Sequence, residues 1–311
     1  MNILLCKVPT INLSSHVRYV ATLVYACAIV VGCSSPSETS RDNVRKAAER
    51  GDILAEYELG YDYYHGQGVP QDYVQAAAWY RKAAEQGYAI AENNMGVLYE
   101  KGRGVPQDYK QAEEWYGRAA ELGLALAENN LGALYEKGQG VPRDYMQAAE
   151  WYRKAAEQGY AVGEGNLGLL YLHGQGVPQD YKQAAAWFRK AAEQGYATGE
   201  NILGALYEKG RGVPQDYEQA AAWYRKAAEQ GYAMGENNLG ALYQSGQGVT
   251  QNYVLAYMLF DIASKGRNEL GLRNRKSLER VLLPAQIAEA QSLETAWKVG
   301  TPLPTHTSMG R

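Results

Sequence analysis

Cysteine is scarce in this chain: three in 311 residues, all within the first 33. No disulfide can staple anything downstream, so whatever folds there relies on packing. Only four histidines occur. Two of them, His65 and His173, sit at equivalent points far apart in the chain, too distant to share a metal or form a dyad. H-E-x-x-H, G-x-S-x-G and S-x-x-K are absent, which removes familiar signatures of zinc hydrolases and serine acyl-enzymes. Concentrated basic stretches are missing too. Lys and Arg alternate with Asp and Glu at a net charge of -3, and loss of residues 1–32 would remove Lys7 and Arg18 but no acid, so a nucleic-acid surface is excluded. Phenylalanine is rare, two residues against 26 tyrosines and six tryptophans.

What the chain has instead is a period. Gly66-Gln67-Gly68-Val69-Pro70 returns in form at Gly102, Gly138, Gly174, Gly210 and Gly246, each time 36 residues on. A unit this short cannot bury its own core, so copies must stack. In the copy at 91–126, Ala91, Asn94, Met95, Leu98 and Tyr99 share one face of a helix A that runs to Lys101. Gly102 suits the left-handed stop, Gly104 a tight link and Val105 a plug between helices, while Pro106 prevents continuation. Asp108 with Gln111 predicts an N-cap and capping box opening helix B, and the pair recurs as Asp72/Gln75, Asp144/Gln147, Asp180/Gln183 and Asp216/Gln219. Tyr73, Ala76, Ala77, Tyr80, Ala83 and Ala84 mark the apolar face of helix B, with Trp79 beside it and Gly87 as its stop.

Six glycines, Gly60, Gly96, Gly132, Gly168, Gly204 and Gly240, fall inside helix A, where each costs about 1 kcal/mol relative to Ala. Such repetition predicts a compensating contact, an aromatic ring of helix B lying over each. Two carboxylate series also recur: Glu85, Glu121, Glu157, Glu193 and Glu229 in helix B, and Glu92, Glu128, Glu164, Glu200 and Glu236 in helix A. Both are read as solvated faces, because a catalytic pair needs two different environments and these repeat. The G-x-G-V-P turns lack the dinucleotide fingerprint and the P-loop lysine. No cofactor and no metal site is expected, and the chain reads as non-enzymatic.

The pattern A-E-x-N-L-G-x-L-Y-x-x-G-x-G-V-P-x-D-Y-x-x-A-x-x-W-Y-x-x-A-A-x-x-G resembles the Sel1-like repeat, a relative of the tetratricopeptide repeat. The likeness covers 44–266, a partial first unit followed by six repeats. It implies an all-α fold, an α-solenoid of stacked helix pairs in a right-handed superhelix with helix A on the concave side. It also brings alternative roles: some members act as immunity proteins against secreted lipase effectors, and some are linked to binding or hydrolysis of β-lactams. A cell-wall or polysaccharide-handling factor is a further alternative. The last repeat departs from the pattern at Thr250, Asn252, Leu259-Phe260 and Arg267. Two further helices, Asn268 to Val281 and Pro284 to Val299, are expected to form a cap over 267–299, with a disordered tail at 300–311.

Arg18 precedes the uncharged stretch Tyr19 to Gly32, 14 residues long, short of the about 20 that span a bilayer and typical of a signal segment. Val30-Val31-Gly32-Cys33 resembles the bacterial lipobox. The resemblance implies a lipoprotein signal peptide at 1–32, lipid on Cys33, a flexible linker at 33–43 and, from Ser34, an outer-membrane address facing the periplasm. Two or more acyl chains would hold the protein on the membrane.

Function is expected where repeats differ on an outward face. Opposite the predicted core of helix A lie Asn93, Val97 and Glu100. Two units break the pattern, with Tyr57, Tyr61 and Tyr64 in the first and Gly165, Leu169 and Leu172, beside His173, in the fourth. Tyr57, Tyr61, Tyr64, Asn93, Val97, Leu169 and Leu172 are therefore the expected partner-binding residues. The resulting expectation is a lipid-anchored periplasmic scaffold that binds a protein partner through its concave face.

Overall fold

The computed structural model describes residues 38–305, all helices and connections with no strand among them. Helix α1 covers Glu38–Glu49, so helix begins inside the stretch expected to be a flexible linker. Six A/B pairs follow: α2 Ile53–His65 with α3 Tyr73–Glu85, α4 Ala89–Lys101 with α5 Tyr109–Glu121, α6 Ala125–Lys137 with α7 Tyr145–Glu157, α8 Ala161–His173 with α9 Tyr181–Glu193, α10 Ala197–Lys209 with α11 Tyr217–Glu229, and α12 Ala233–Ser245 with α13 Tyr253–Lys265. Helices α14 Glu269–Leu278 and α15 Pro284–Ala296 end the array. None of the described helices is long and apolar enough to cross a membrane.

The helices fall into two compact units, one ending at Lys82 and one starting at Ala83. In the first, α1 packs on α2, and Ala48, Ala55 and Leu59 form a small core against which Trp79 lies. In the second, every A helix packs on its own B helix and every B helix on the A helix that follows. That nearest-neighbour pattern is what a linear array requires.

Local chemistry sets the helix ends. Each A helix stops at a glycine in the left-handed region, φ 63° at Gly102 and 68° at Gly138, a conformation that costs other residues. The side chain of Asp108 accepts from the backbone N–H groups of Lys110 and Gln111 at 2.9 and 3.1 Å, and Asp144, Asp180 and Asp216 do the same in their repeats. The predicted capping box does not close. The Asp108 N–H donates to the carbonyl of Tyr99 at the end of the preceding helix, so it needs no side-chain acceptor, and the Gln111 amide turns to Glu114.

All six helix-A glycines lie under a ring of their own B helix: Tyr80, Tyr116, Tyr152, Phe188, Tyr224 and Phe260 in order. The rings are fully buried. A methyl group on Gly96 would stand 2.5 Å from two carbons of the Tyr116 ring, so the glycine is the space the ring occupies.

The end of the chain differs from expectation. Leu303 is buried, its N–H donates to Glu229 at 2.9 Å and its carbonyl accepts from Arg225. The expected disordered tail is thus seated on α11 as far as the described residues go; 306–311, His306 included, lie outside them.

Candidate functional site

Most of the predicted binding residues serve the repeat interfaces. Asn93 was expected to face outward and is 2% exposed. It accepts a hydrogen bond from the Asn130 amide at 2.9 Å, and the same rung recurs as Asn166 to Asn129, Asn238 to Asn201 and Asn274 to Asn237. A ladder of asparagines therefore runs along the A helices of the second unit, from α4 to α14. Within the second unit one rung is missing, and both of its members are missing together: Gly165 and Ile202 stand in its place, with the Tyr196 ring 2.7 Å from where a Gly165 side chain would begin. Replacing both partners by apolar groups avoids the penalty of an unpaired buried amide.

Leu172 has the same kind of explanation. In the neighbouring repeats the residue at this position is a glutamate that accepts from the hydroxyl of the ring over the glycine, Tyr116 to Glu100 at 2.8 Å, Tyr152 to Glu136 and Tyr224 to Glu208 at 2.5 Å. In the fourth repeat the ring is Phe188, which has no hydroxyl, and Leu172 packs on the cluster that contains it. Tyr57 and Tyr64 also face a buried ring, with centroids 5.8 and 6.5 Å from Tyr80. Tyr61 stacks 4.2 Å from His65. Val97 and Leu169 are half-buried and pack on the edges of the cores beside them.

A prediction follows from the ladder. Asn129→Ala and Asn166→Ala should each destabilise by about 1–2 kcal/mol through the amide left unpaired. The double variant should lose distinctly less than the two combined, with a coupling of about 1 kcal/mol in a denaturant-melting cycle. Additive losses would dismiss the rung.

The helix-A glutamates, expected to be solvated, are buried instead, Glu92 and Glu236 among them. Gln158, Gln194 and Gln230 donate to Glu128, Glu164 and Glu200 at 2.7–2.8 Å from 30 residues on. Burial raises these carboxyl groups above the usual range. Two copies lack the glutamine: Leu122 leaves one oxygen of Glu92 unpartnered, and Gly266 stands thirty residues beyond Glu236. In the helix-B series Glu85, Glu121, Glu157 and Glu193 are exposed as read, while Glu229 is half-buried and accepts from the Leu303 N–H.

The surface left open on the A helices of the second unit is a line the sequence reading passed over. Ile90, Leu126, Val162, Thr198, Met234 and Leu270 occupy one position in the first turn of successive A helices. Leu126 is 36% exposed, Met234 50% and Leu270 57%, a frequency of large apolar side chains in one register that single scattered residues do not produce. Four and seven residues further on, the same line carries Asn130 with Ala133 and Asn166 with Leu169. Among the described residues no group of three or more His, Cys, Asp or Glu could hold a metal ion.

Paired helices, glycine stops and neighbour-only packing define a tandem helical-repeat solenoid, a fold for protein–protein interaction that is generally non-enzymatic. More narrowly, the chain belongs to the Sel1 repeat family, which matches residues 53–88, 89–124, 125–160, 162–196, 197–232 and 233–268. The structure is similar to a protective antigen of uropathogenic Escherichia coli displaying an SLR fold, at 39% identity and TM-score 0.73, over 82% of this chain and 56% of that one. The chain thus spans about half the length of that antigen. A Sel1 repeat protein of Oxalobacter formigenes is similar at 35% identity and TM-score 0.64, over 69% of this chain and 86% of that one. An immunity protein of Pseudomonas aeruginosa is similar at 21% identity and TM-score 0.44, over 75% of this chain and 84% of that one. No curated protein matches the sequence.

Proposed function

We propose that this chain is a protein-binding scaffold, lipid-anchored in the bacterial envelope through Cys33 and facing the periplasm, that receives its partner on the A-helix face. The observation that carries the reading is the exposed apolar line Leu126, Met234 and Leu270, with Ile90 and Val162 in the same register. The helices that present it are held by the asparagine rungs, so little conformational entropy is lost on the scaffold side when a partner docks. Val97 and Leu169 lie on the same line and remain part of the surface; Tyr61 occupies the equivalent position in the first unit. Asn93, Leu172, Tyr57 and Tyr64 support the helices. Cys33 lies outside the described residues, and its lipid rests on the resemblance of Val30 to Cys33 to a lipobox.

The test is photo-crosslinking in the native cell from positions 126 and 234, with a probe at exposed Glu157 on a B helix as control. One discrete partner should be captured from the A-helix positions and lost when the remaining apolar residues of the line become Asp. Equal capture from position 157 would discard the face. Cys33→Ser should move the protein from the membrane fraction to the soluble one, and unchanged fractionation would discard the anchor.

A further inference from the structure

A second feature points away from the A-helix line. In the third, fourth and fifth repeats an arginine of helix B reaches the tyrosine hydroxyl at the end of the following A helix: Arg153 to Tyr171 at 3.3 Å, Arg189 to Tyr207 at 2.5 Å, and Arg225 to Tyr243. Two of these guanidinium groups also stand over the tyrosine ring, 5.6 and 5.9 Å from its centroid. In the second repeat the arginine is Gly117, and a side chain built there would meet nothing within 4 Å. Tyr135 remains in its usual place, half-buried on α6, with no hydrogen-bond partner for its hydroxyl among the described residues.

One turn before Gly117, where the third, fourth and fifth repeats carry Ala149, Ala185 and Ala221, the second repeat carries Glu113. Glu113 is half-buried and makes no ion pair among the described residues. Burial, with the neighbouring charge of Glu114, raises its carboxyl above the usual range, the behaviour of a carboxylate short of a countercharge. The charge of Glu113 in turn acts on Tyr135, so the two groups share one locality. The second repeat has therefore lost a cation and gained an anion at the place where its siblings seat a guanidinium.

We propose that the notch formed by Gly117, Glu113 and Tyr135 receives an arginine side chain of a protein partner. The sibling repeats supply the geometry, a guanidinium donating to the tyrosine hydroxyl and lying over its ring, and Glu113 adds the charge-assisted hydrogen bond that a planar fork of N–H donors makes with a carboxylate. Tyr135 lies nine residues after Leu126 on the same helix, half a turn round at 100° per residue. The notch is thus a separate contact from the apolar line.

The test titrates the chain with N-acetyl-arginine amide, and with the neutral citrulline analogue, while backbone amide and tyrosine ring signals are followed by NMR. Arginine amide should shift Gly117 and Tyr135 saturably, and citrulline amide should not. Glu113→Ala should weaken the association at least tenfold, and Gly117→Arg should abolish it by filling the notch from within. Both substitutions install the residue that sibling repeats already carry, so both variants keep the fold. Absent shifts, equal shifts from the two amides, or full affinity in Glu113→Ala would overturn the proposal. Aspartates at positions 126 and 234 should leave this titration unaltered, which separates its outcome from that of the A-helix line.

Discussion

Gly96→Ala should lower the stability of the array by about 2 kcal/mol, while Gly117→Ala, the same substitution on the next helix, should raise it by about 1 kcal/mol. Both glycines sit in the interior of a helix with ordinary helical backbone, so on propensity alone each replacement is favourable. The surroundings reverse the sign at position 96. The new methyl would lie 2.5 Å from Cδ1 and Cε1 of Tyr116, and that ring cannot withdraw, since it is fully buried and its hydroxyl is held by Glu100 at 2.8 Å. Overpacking of this kind costs about 1–3 kcal/mol. At position 117 the added carbon meets nothing. Urea midpoints of the two variants against wild type decide the matter, and equal shifts in one direction would show that the ring does not occupy the glycine's space.

Stability should also fall as pH rises through the weakly acidic range, and Glu236→Gln should remove the largest single share of that slope. Glu236 is buried on α12, and its carboxyl is pushed from 4.5 up to about 7, first by burial and then by the charge of Glu294. Glu294 on α15 is held by Lys265 at 2.6 Å; Lys265 also meets Asp261 at 3.1 Å, and Arg275 binds Asp261 at 2.7 Å. The cations of this cluster are thus engaged by Asp261 and Glu294. A group whose pKa is higher folded than unfolded contributes fully below its unfolded value and loses that contribution up to the folded one. The window is therefore about pH 4.5 to 7. The whole shift corresponds to at most about 3 kcal/mol, reduced by solvent screening. Glu236→Gln should match wild type near pH 4 and exceed it in thermal midpoint near pH 8; a parallel pH profile for both proteins would dismiss Glu236 as the cause.

What the sequence made legible was whatever depends on a single repeat. Helix lengths, the glycine stops, the aspartate caps and the ring over each helix-A glycine could all be read from residues within one period, because each contact joins positions fewer than 36 apart. The faces between repeats were not legible in the same way. A helix A is covered by its own B helix, by the preceding B helix and by neighbouring A helices, so its hidden surface is wider than one apolar stripe. Polar residues lie in the seam. Asn93 and Glu92 therefore read as outward by polarity while being buried, and Leu126 and Met234, which are exposed, carried no polar flag. One signal was available: Gly165 and Ile202 depart from the asparagine series together, as do Leu172 and Phe188, and paired departures mark paired contacts. The notch at Gly117 has the same signature, with Glu113 departing beside it.

The rungs have a consequence for how such a gene can change length. Nearly identical tandem copies invite recombination events that excise one whole period of 36 residues. The members of a rung are 37 residues apart, one more than the period, so no single excision deletes Gly165 and Ile202 together. Every event that removes just one of them sets an asparagine against an apolar neighbour. Copies outside that stretch can be dropped without this mismatch, which makes the middle of the array the part whose copy number is hardest to alter.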